Sequence, residues 1–131
     1  MRHYLALVHK ETNSAFGVQF PDLPYVFSAA DEQEMIIPNA IEALRFAAED
    51  GELPFPSSHA EIVAREEVRE ELAHGAYLVS IPLIENDTAI VRANVSFERG
   101  MLKAIDEAAK ARGITRAAFL ANAARKEIET T

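Results

Sequence analysis

Arg92, Asn94 and Ser96 occupy alternate positions of the segment Val91 to Phe97, and Val91, Ala93, Val95 and Phe97 fill the positions around them. Successive side chains of an extended chain point to opposite faces, so this spacing predicts a strand with one polar and one apolar face. The polar face carries groups suited to base edges. Arginine offers two donors to guanine, asparagine offers a donor and an acceptor to adenine, and a serine hydroxyl can meet either. These three residues are the expected DNA-base contacts. The residues that follow supply the elements that must hold them. Met101, Leu102, Ile105, Ala108 and Ala109 mark one helix face, and Lys110 and Arg112 place positive charge in its last turn, as the helix dipole favours. Gly113 is positioned as a left-handed stop, after which Ile114 can pack back on the helix. Thr115 is the natural N-cap of a second helix, whose apolar side carries Phe119, Leu120, Ala123 and Ile128, with Ala117 and Ala124 beside it. The amides that open this helix, at Thr115 and Arg116, are expected to hold a DNA phosphate.

One strand and two short helices cannot bury their own apolar faces, and a lone strand leaves its backbone groups unpaired. Pairing with the same strand of a second chain meets both needs. The expected homodimer core is Val95, Phe97, Leu102, Ile105, Phe119 and Leu120. Its two-stranded antiparallel ribbon would fit the DNA major groove and present two copies of Arg92, Asn94 and Ser96. The competing reading is a half-buried strand and helical hairpin packed on the rest of the protein. From about Val91 to Ile128 the arrangement resembles the ribbon-helix-helix family of bacterial repressors. Glu98-Arg99-Gly100 departs from that family's usual proline-acid opening, and Gly100 costs about 1 kcal/mol relative to alanine in a helix. The start of the first helix is therefore left open.

The whole chain carries a net charge of −8, which taken alone argues against nucleic acid. Its distribution reverses that inference. Met1 to Ala89 holds 5 Lys and Arg against 16 Asp and Glu, whereas Ile90 to Thr131 holds 8 against 5. An acidic, partner-facing body with a basic, nucleic-acid-facing tail fits this asymmetry; an acidic surface that serves only solubility is the alternative. With 131 residues, 49% of them hydrophobic, one domain or two very small ones are expected. The absence of cysteine excludes disulfides, thiolate ligands and a cysteine nucleophile. No apolar run approaches a membrane span, and Leu5 to Val8 is too short for a signal-peptide core, so a cytoplasmic protein without membrane attachment is expected.

Within the body, Tyr4–His9 and Ala15–Phe20 read as a hairpin and Tyr25–Ser28 as a third strand. Pro21 and Pro24 are expected to break the ladder, and Asp22 to bond its own backbone in the turn. Asp31 is the expected N-cap of a helix ending near Gly51, with Ile37, Ile41, Leu44 and Ala48 buried. Pro38 should kink this helix or delay its start to near Asn39. Leu53-Pro54-Phe55-Pro56 reads as a rigid connector, His59–Ala73 as one acidic helix and Ala76–Ile81 as a fourth strand. The polar stretch from Glu85 to Thr88 is the linker, dividing the chain into domains 1–85 and 86–131.

Phe16-Gly17-Val18-Gln19-Phe20-Pro21-Asp22-Leu23-Pro24, followed by a helix containing Asn39-Ala40-Ile41-Glu42-Ala43-Leu44, resembles the signature of HicB-type antitoxins. The resemblance extends over nearly the whole chain. Tyr25-Val26 replaces the glycine-cysteine common after the turn, and Pro38 interrupts a helix that is usually continuous. The resemblance implies an α+β protein: a partial ribonuclease-H-like domain, with helices on an antiparallel sheet, and a ribbon-helix-helix dimerisation module. It implies a body that neutralises a small basic HicA-type ribonuclease toxin and a tail that represses its own operon by binding operator DNA, as dimers or as pairs of dimers. No catalysis and no cofactor are implied. A ribonuclease H needs clustered carboxylates for two metal ions, and Tyr4–Val8, the expected first strand, has no aspartate. His3, His9, His59 and His74 form no pair at ligand spacing, so no metal site is expected. The alternatives are a ligand-responsive repressor with the same tail but no toxin partner, and a dimerisation protein whose tail never meets DNA.

Overall fold

The computed structural model describes residues 1–130; Thr131, the last residue of the expected second domain, lies outside them. The chain divides into two compact units between Asp87 and Thr88. The first is an α+β unit. Its strands β1 (Arg2–Lys10), β2 (Phe16–Phe20), β3 (Leu23–Ala30) and β4 (Tyr77–Leu83) form one antiparallel sheet in the order β3-β2-β1-β4. Central β1 is covered on both faces, which is why it reads as a near-continuous apolar run. Tyr4, Ala6 and Val8 enter a core with Val18, Phe20 and Ile81 and with Ile36, Ala40, Ile41 and Leu44 of helix α1 (Ile36–Glu49). On the opposite face Leu7 packs with Ile62 of α2 (His59–Val63) and Val68 of α3 (Glu66–Ala73).

Pro21 lies in the turn between β2 and β3, as expected, but the effects expected of Pro24 and Pro38 need correction. The chain turns at Pro21-Asp22, but pairing resumes at once, with Phe20 opposite Leu23, so Pro24 lies inside β3. Pro82 likewise lies inside β4. Both are edge strands, where a missing N–H need not cost a ladder bond. Pro38 is the third residue of a continuous α1, in the first turn, where its N–H would have no intrahelical partner. It therefore neither breaks the helix nor delays its start. A single 3-10 turn, Gln33–Met35, precedes α1, and its cap is the extended Glu32, not Asp31. The buried stripe is also shifted: Ile36 and Ala40 are buried, Ile37 is exposed and Ala48 only partly covered.

The acidic helix expected over His59–Ala73 is two helices, because Arg65 is extended (φ −71°, ψ 134°). Ser58 opens α2 with a reciprocal cap. Its hydroxyl accepts from the Glu61 N–H at 3.2 Å, and the Glu61 carboxylate accepts from the Ser58 N–H at 3.2 Å. The motif Ser58-His59-Ala60-Glu61 was a legible signal for this start.

The second unit contains α4 (Arg99–Ala111) and α5 (Arg116–Thr130), packed on each other with Ile105 and Ala109 buried. Gly113 adopts φ +68°, and the Gly113 and Ile114 N–H groups bond the Lys110 and Ala109 carbonyls at 3.1 and 3.0 Å. This is the left-handed helix stop read from the sequence. The Thr115 hydroxyl accepts from the Ala118 N–H at 3.1 Å, closing the N-cap expected of it. Residues 84–98 form neither helix nor strand within the single chain.

Candidate partner-binding surfaces

At the β2–β3 connection the Asp22 carboxylate reaches far along the chain instead of bonding its own turn. It accepts from the Ser57 N–H at 2.7 Å, from the Ser57 hydroxyl at 2.8 Å and from the Arg65 guanidinium at 2.7 Å. Arg65 also donates to the Pro21 carbonyl at 3.0 Å. These bonds tie the turn to the start of α3 and account for the break before it. Burial pushes the Asp22 carboxyl up, but the Ser57 and Arg65 hydrogen bonds and the Arg65 charge outweigh burial and hold it below the ordinary value of 3.8. Folding is therefore linked to the ionised form. The stabilisation is complete above roughly pH 5, declines as pH falls through the ordinary carboxylate range, and is lost below the folded pKa. Asp22→Ala is expected to cost about 1 kcal/mol at neutral pH, because it strands the half-buried donors of Ser57 and Arg65. It should also flatten the loss of stability on acidification below about pH 4. Urea unfolding from pH 3 to 7 measures both effects, and identical curves for variant and wild type would contradict this role.

Tyr4 anchors the connector before α2: its hydroxyl donates to the Pro54 carbonyl at 2.6 Å, and Arg2 donates to the Leu53 carbonyl at 3.1 Å while lying 4.1 Å from the Phe55 ring centroid. The His9 ring lies over Gly17, its partner across the β1–β2 ladder. A Cβ at position 17 would come within 2.4 Å of His9 Cε1, so this histidine fills the space above a glycine. Among the described residues no cluster of His, Cys, Asp or Glu could hold a metal ion. No helix of the described residues is long and apolar enough to cross a membrane.

Edge strand β3 meets α1 at an open groove of about 850 Å³. Three aromatics stand exposed along it: Tyr25 at 65%, Phe27 at 66% and Phe46 at 68%. Glu42, Asp50 and Glu52 also line it, and no Lys or Arg is among its described lining residues. The Asn39 side chain donates to the Ala29 carbonyl at 2.9 Å, fastening the start of α1 to the far end of β3. Asn39 was singled out in the sequence only as part of a motif; its geometry supplies the reason, a side-chain amide held against an edge-strand carbonyl. The groove itself could not be found from the sequence, because Phe46 and the β3 aromatics meet only in three dimensions.

In the second unit Arg92, Asn94, Ser96 and Val95 are all exposed, as are the apolar Ile90 and Val91 of the same segment. Phe97 is 38% exposed, Leu102, Phe119 and Leu120 are partly buried, and Ile105 is buried. The Arg112 guanidinium lies 5.3 Å from the Phe119 ring centroid. Arg116 forms a two-pronged ion pair with Asp106, Nε to Oδ1 and Nη2 to Oδ2, both at 2.8 Å. These hydrogen bonds, together with the opposite charge, hold the Asp106 carboxyl below its usual range. The Arg116 side chain is thus engaged with α4, so any phosphate contact at this position falls to its backbone amide.

An antiparallel sheet flanked by helices, followed by a helical hairpin, is an architecture shared with solved antitoxins. The antitoxin HicB of Burkholderia pseudomallei matches with 32% identity over 95% of this chain and 96% of that chain, with a TM-score of 0.57. The antitoxin HicB3 matches with 26% identity over 96% of this chain and 97% of that one, at a TM-score of 0.53. A chain of the HicA3 and HicB3 toxin-antitoxin complex shares the fold over 63% of this chain and 99% of its own, with 24% identity and a TM-score of 0.50. No curated protein matches the chain significantly. The model of the HicB-like antitoxins of bacterial toxin-antitoxin systems matches residues 4–124. The chain belongs to that family, and its members are antitoxins, not enzymes.

Proposed function

We propose that the body, residues 1–85, binds and neutralises a small basic HicA-type ribonuclease toxin, and that the tail, residues 86–131, forms a ribbon-helix-helix homodimer that represses its own operon. The division of charge carries this reading: 5 basic against 16 acidic residues in Met1 to Ala89, and 8 against 5 beyond. Opposite potentials speed encounter and disfavour wrong partners, so an acidic body suits a basic toxin and a basic tail suits DNA. Exposed Val91 and Val95 support the dimer, since they alternate with Arg92, Asn94 and Ser96 along a segment that has no strand partner in the single chain. Two copies joined as a ribbon would cover the apolar face and turn the polar face to the bases, while the amides at Thr115 and Arg116 approach a phosphate. Expression of the small basic reading frame adjoining this gene is expected to arrest growth, and co-expression of this chain to restore it. Arrest that co-expression leaves unrelieved would refute the toxin assignment.

A further inference from the structure

We infer that the groove between β3 and α1 is where the body holds its basic partner, with an apolar side chain of that partner seated among Tyr25, Phe27 and Phe46 and its cationic groups against Glu42, Asp50 and Glu52. This rests on the antitoxin reading above and locates the surface that performs it. Three large aromatics exposed together are costly to leave in water, and aromatic anchors in a concave, desolvating site dominate the energy of protein interfaces. The groove's charge is of one sign, which selects the occupant. A second copy of this chain would bring Glu42, Asp50 and Glu52 against an equally acidic face, whereas a basic partner meets opposite charge. The acidic residues of α3, Glu66, Glu67, Glu70 and Glu71, are the competing surface. They provide charge, and Glu67 and Glu71 share a smaller hollow with Phe27 of β3, but that hollow holds one exposed aromatic where the groove holds three, and charge with a single anchor governs encounter more than affinity.

The open window on β3 is short. Pro24 has no N–H to offer at one end, and at the other the Ala29 carbonyl is already taken by Asn39. Between them lie Tyr25 to Ser28, so the two aromatics of β3, Tyr25 and Phe27, stand on the stretch that neither end blocks. The blocked ends protect the edge from indiscriminate pairing between strands.

The test measures binding of the full-length chain to the purified small basic protein encoded by the adjoining reading frame, using titration calorimetry. Phe46→Ala is expected to weaken binding by roughly 30-fold or more, as truncation of an interface anchor does. Glu42→Lys with Glu52→Lys should weaken it further at low salt than at high salt. Phe46 is exposed, so its truncation leaves the core intact, and an unchanged thermal melt verifies this. Glu66→Gln with Glu70→Gln on α3 should change affinity only slightly. Undiminished binding by the groove variants with loss in the α3 variant overturns the groove while leaving the antitoxin reading in place. Loss of self-association in Phe46→Ala with toxin binding intact assigns the groove to a second copy and also overturns the proposal. Failure of the wild-type chain to bind the protein at all overturns both readings.

Discussion

Val95→Asp is expected to leave the protein monomeric while its body stays folded. In the single chain Val95 is 67% exposed, and replacing a residue that remains on the surface changes stability by no more than about 0.5 kcal/mol. In the proposed dimer the same position is buried between two ribbons. Each copy would then carry a carboxylate into an apolar contact without a partner, at a cost of several kcal/mol per dimer. The two situations differ by far more than experimental error. Sedimentation equilibrium reads the oligomeric state directly, and the melting of the sheet unit serves as an internal control. A variant that sediments as a dimer of wild-type affinity would show that Val95 does not face a second copy.

Arg92→Ala is expected to abolish specific operator binding without changing that dimer. A two-donor contact to guanine contributes about 1–3 kcal/mol. The dimer places two copies, so affinity should fall roughly 30-fold at the least, taking the lower figure for each. Arg92→Lys separates base reading from charge. Lysine retains the cation but lacks the planar fork, so nonspecific affinity and its salt dependence should persist while discrimination between operator and random DNA declines. Electrophoretic mobility shift at two salt concentrations measures both quantities. Equal operator binding by Arg92→Ala and wild type would remove this residue from the interface. Arg116 should behave differently: its guanidinium is held by Asp106 at 2.8 Å, so its loss would loosen the α4–α5 hairpin more than it would alter sequence preference.

The turn between the two helices of the tail was legible to the residue because its signals are local, whereas the start of α4 was not. A left-handed glycine followed by a threonine cap specifies both ends of the α4–α5 turn through backbone conformation and bonds spanning a few residues. The hairpin of β1 and β2 was legible for a similar reason, since side-chain alternation is imposed by the strand itself. Prolines were harder. Pro24 and Pro82 are compatible with strands only because β3 and β4 lie at the sheet edges, and strand order is not written in any one segment. Pro38 is compatible with α1 because the helix begins two residues before it, at a start that the 3-10 turn and the burial of Ile36 decide.

What the sequence by itself determined is whatever rests on periodicity, capping and summed charge: the α+β composition, the helical hairpin, and the contrast between an acidic body and a basic tail. Family membership was also legible, through the order and spacing of Phe20-Pro21-Asp22-Leu23-Pro24 and Asn39-Ala40. What only the tertiary structure decided depends on groups that meet across long stretches of chain. Asp22 finds Ser57 and Arg65, 35 and 43 residues away, and that ion pair divides what periodicity alone makes a single acidic helix. Tyr25, Phe27 and Phe46 line one groove only because α1 is laid along an edge strand and fastened there by Asn39. Local patterns record the preferences of a backbone a few residues at a time. The surface that meets a partner is set by which elements pack together, and that packing is a property of the whole core.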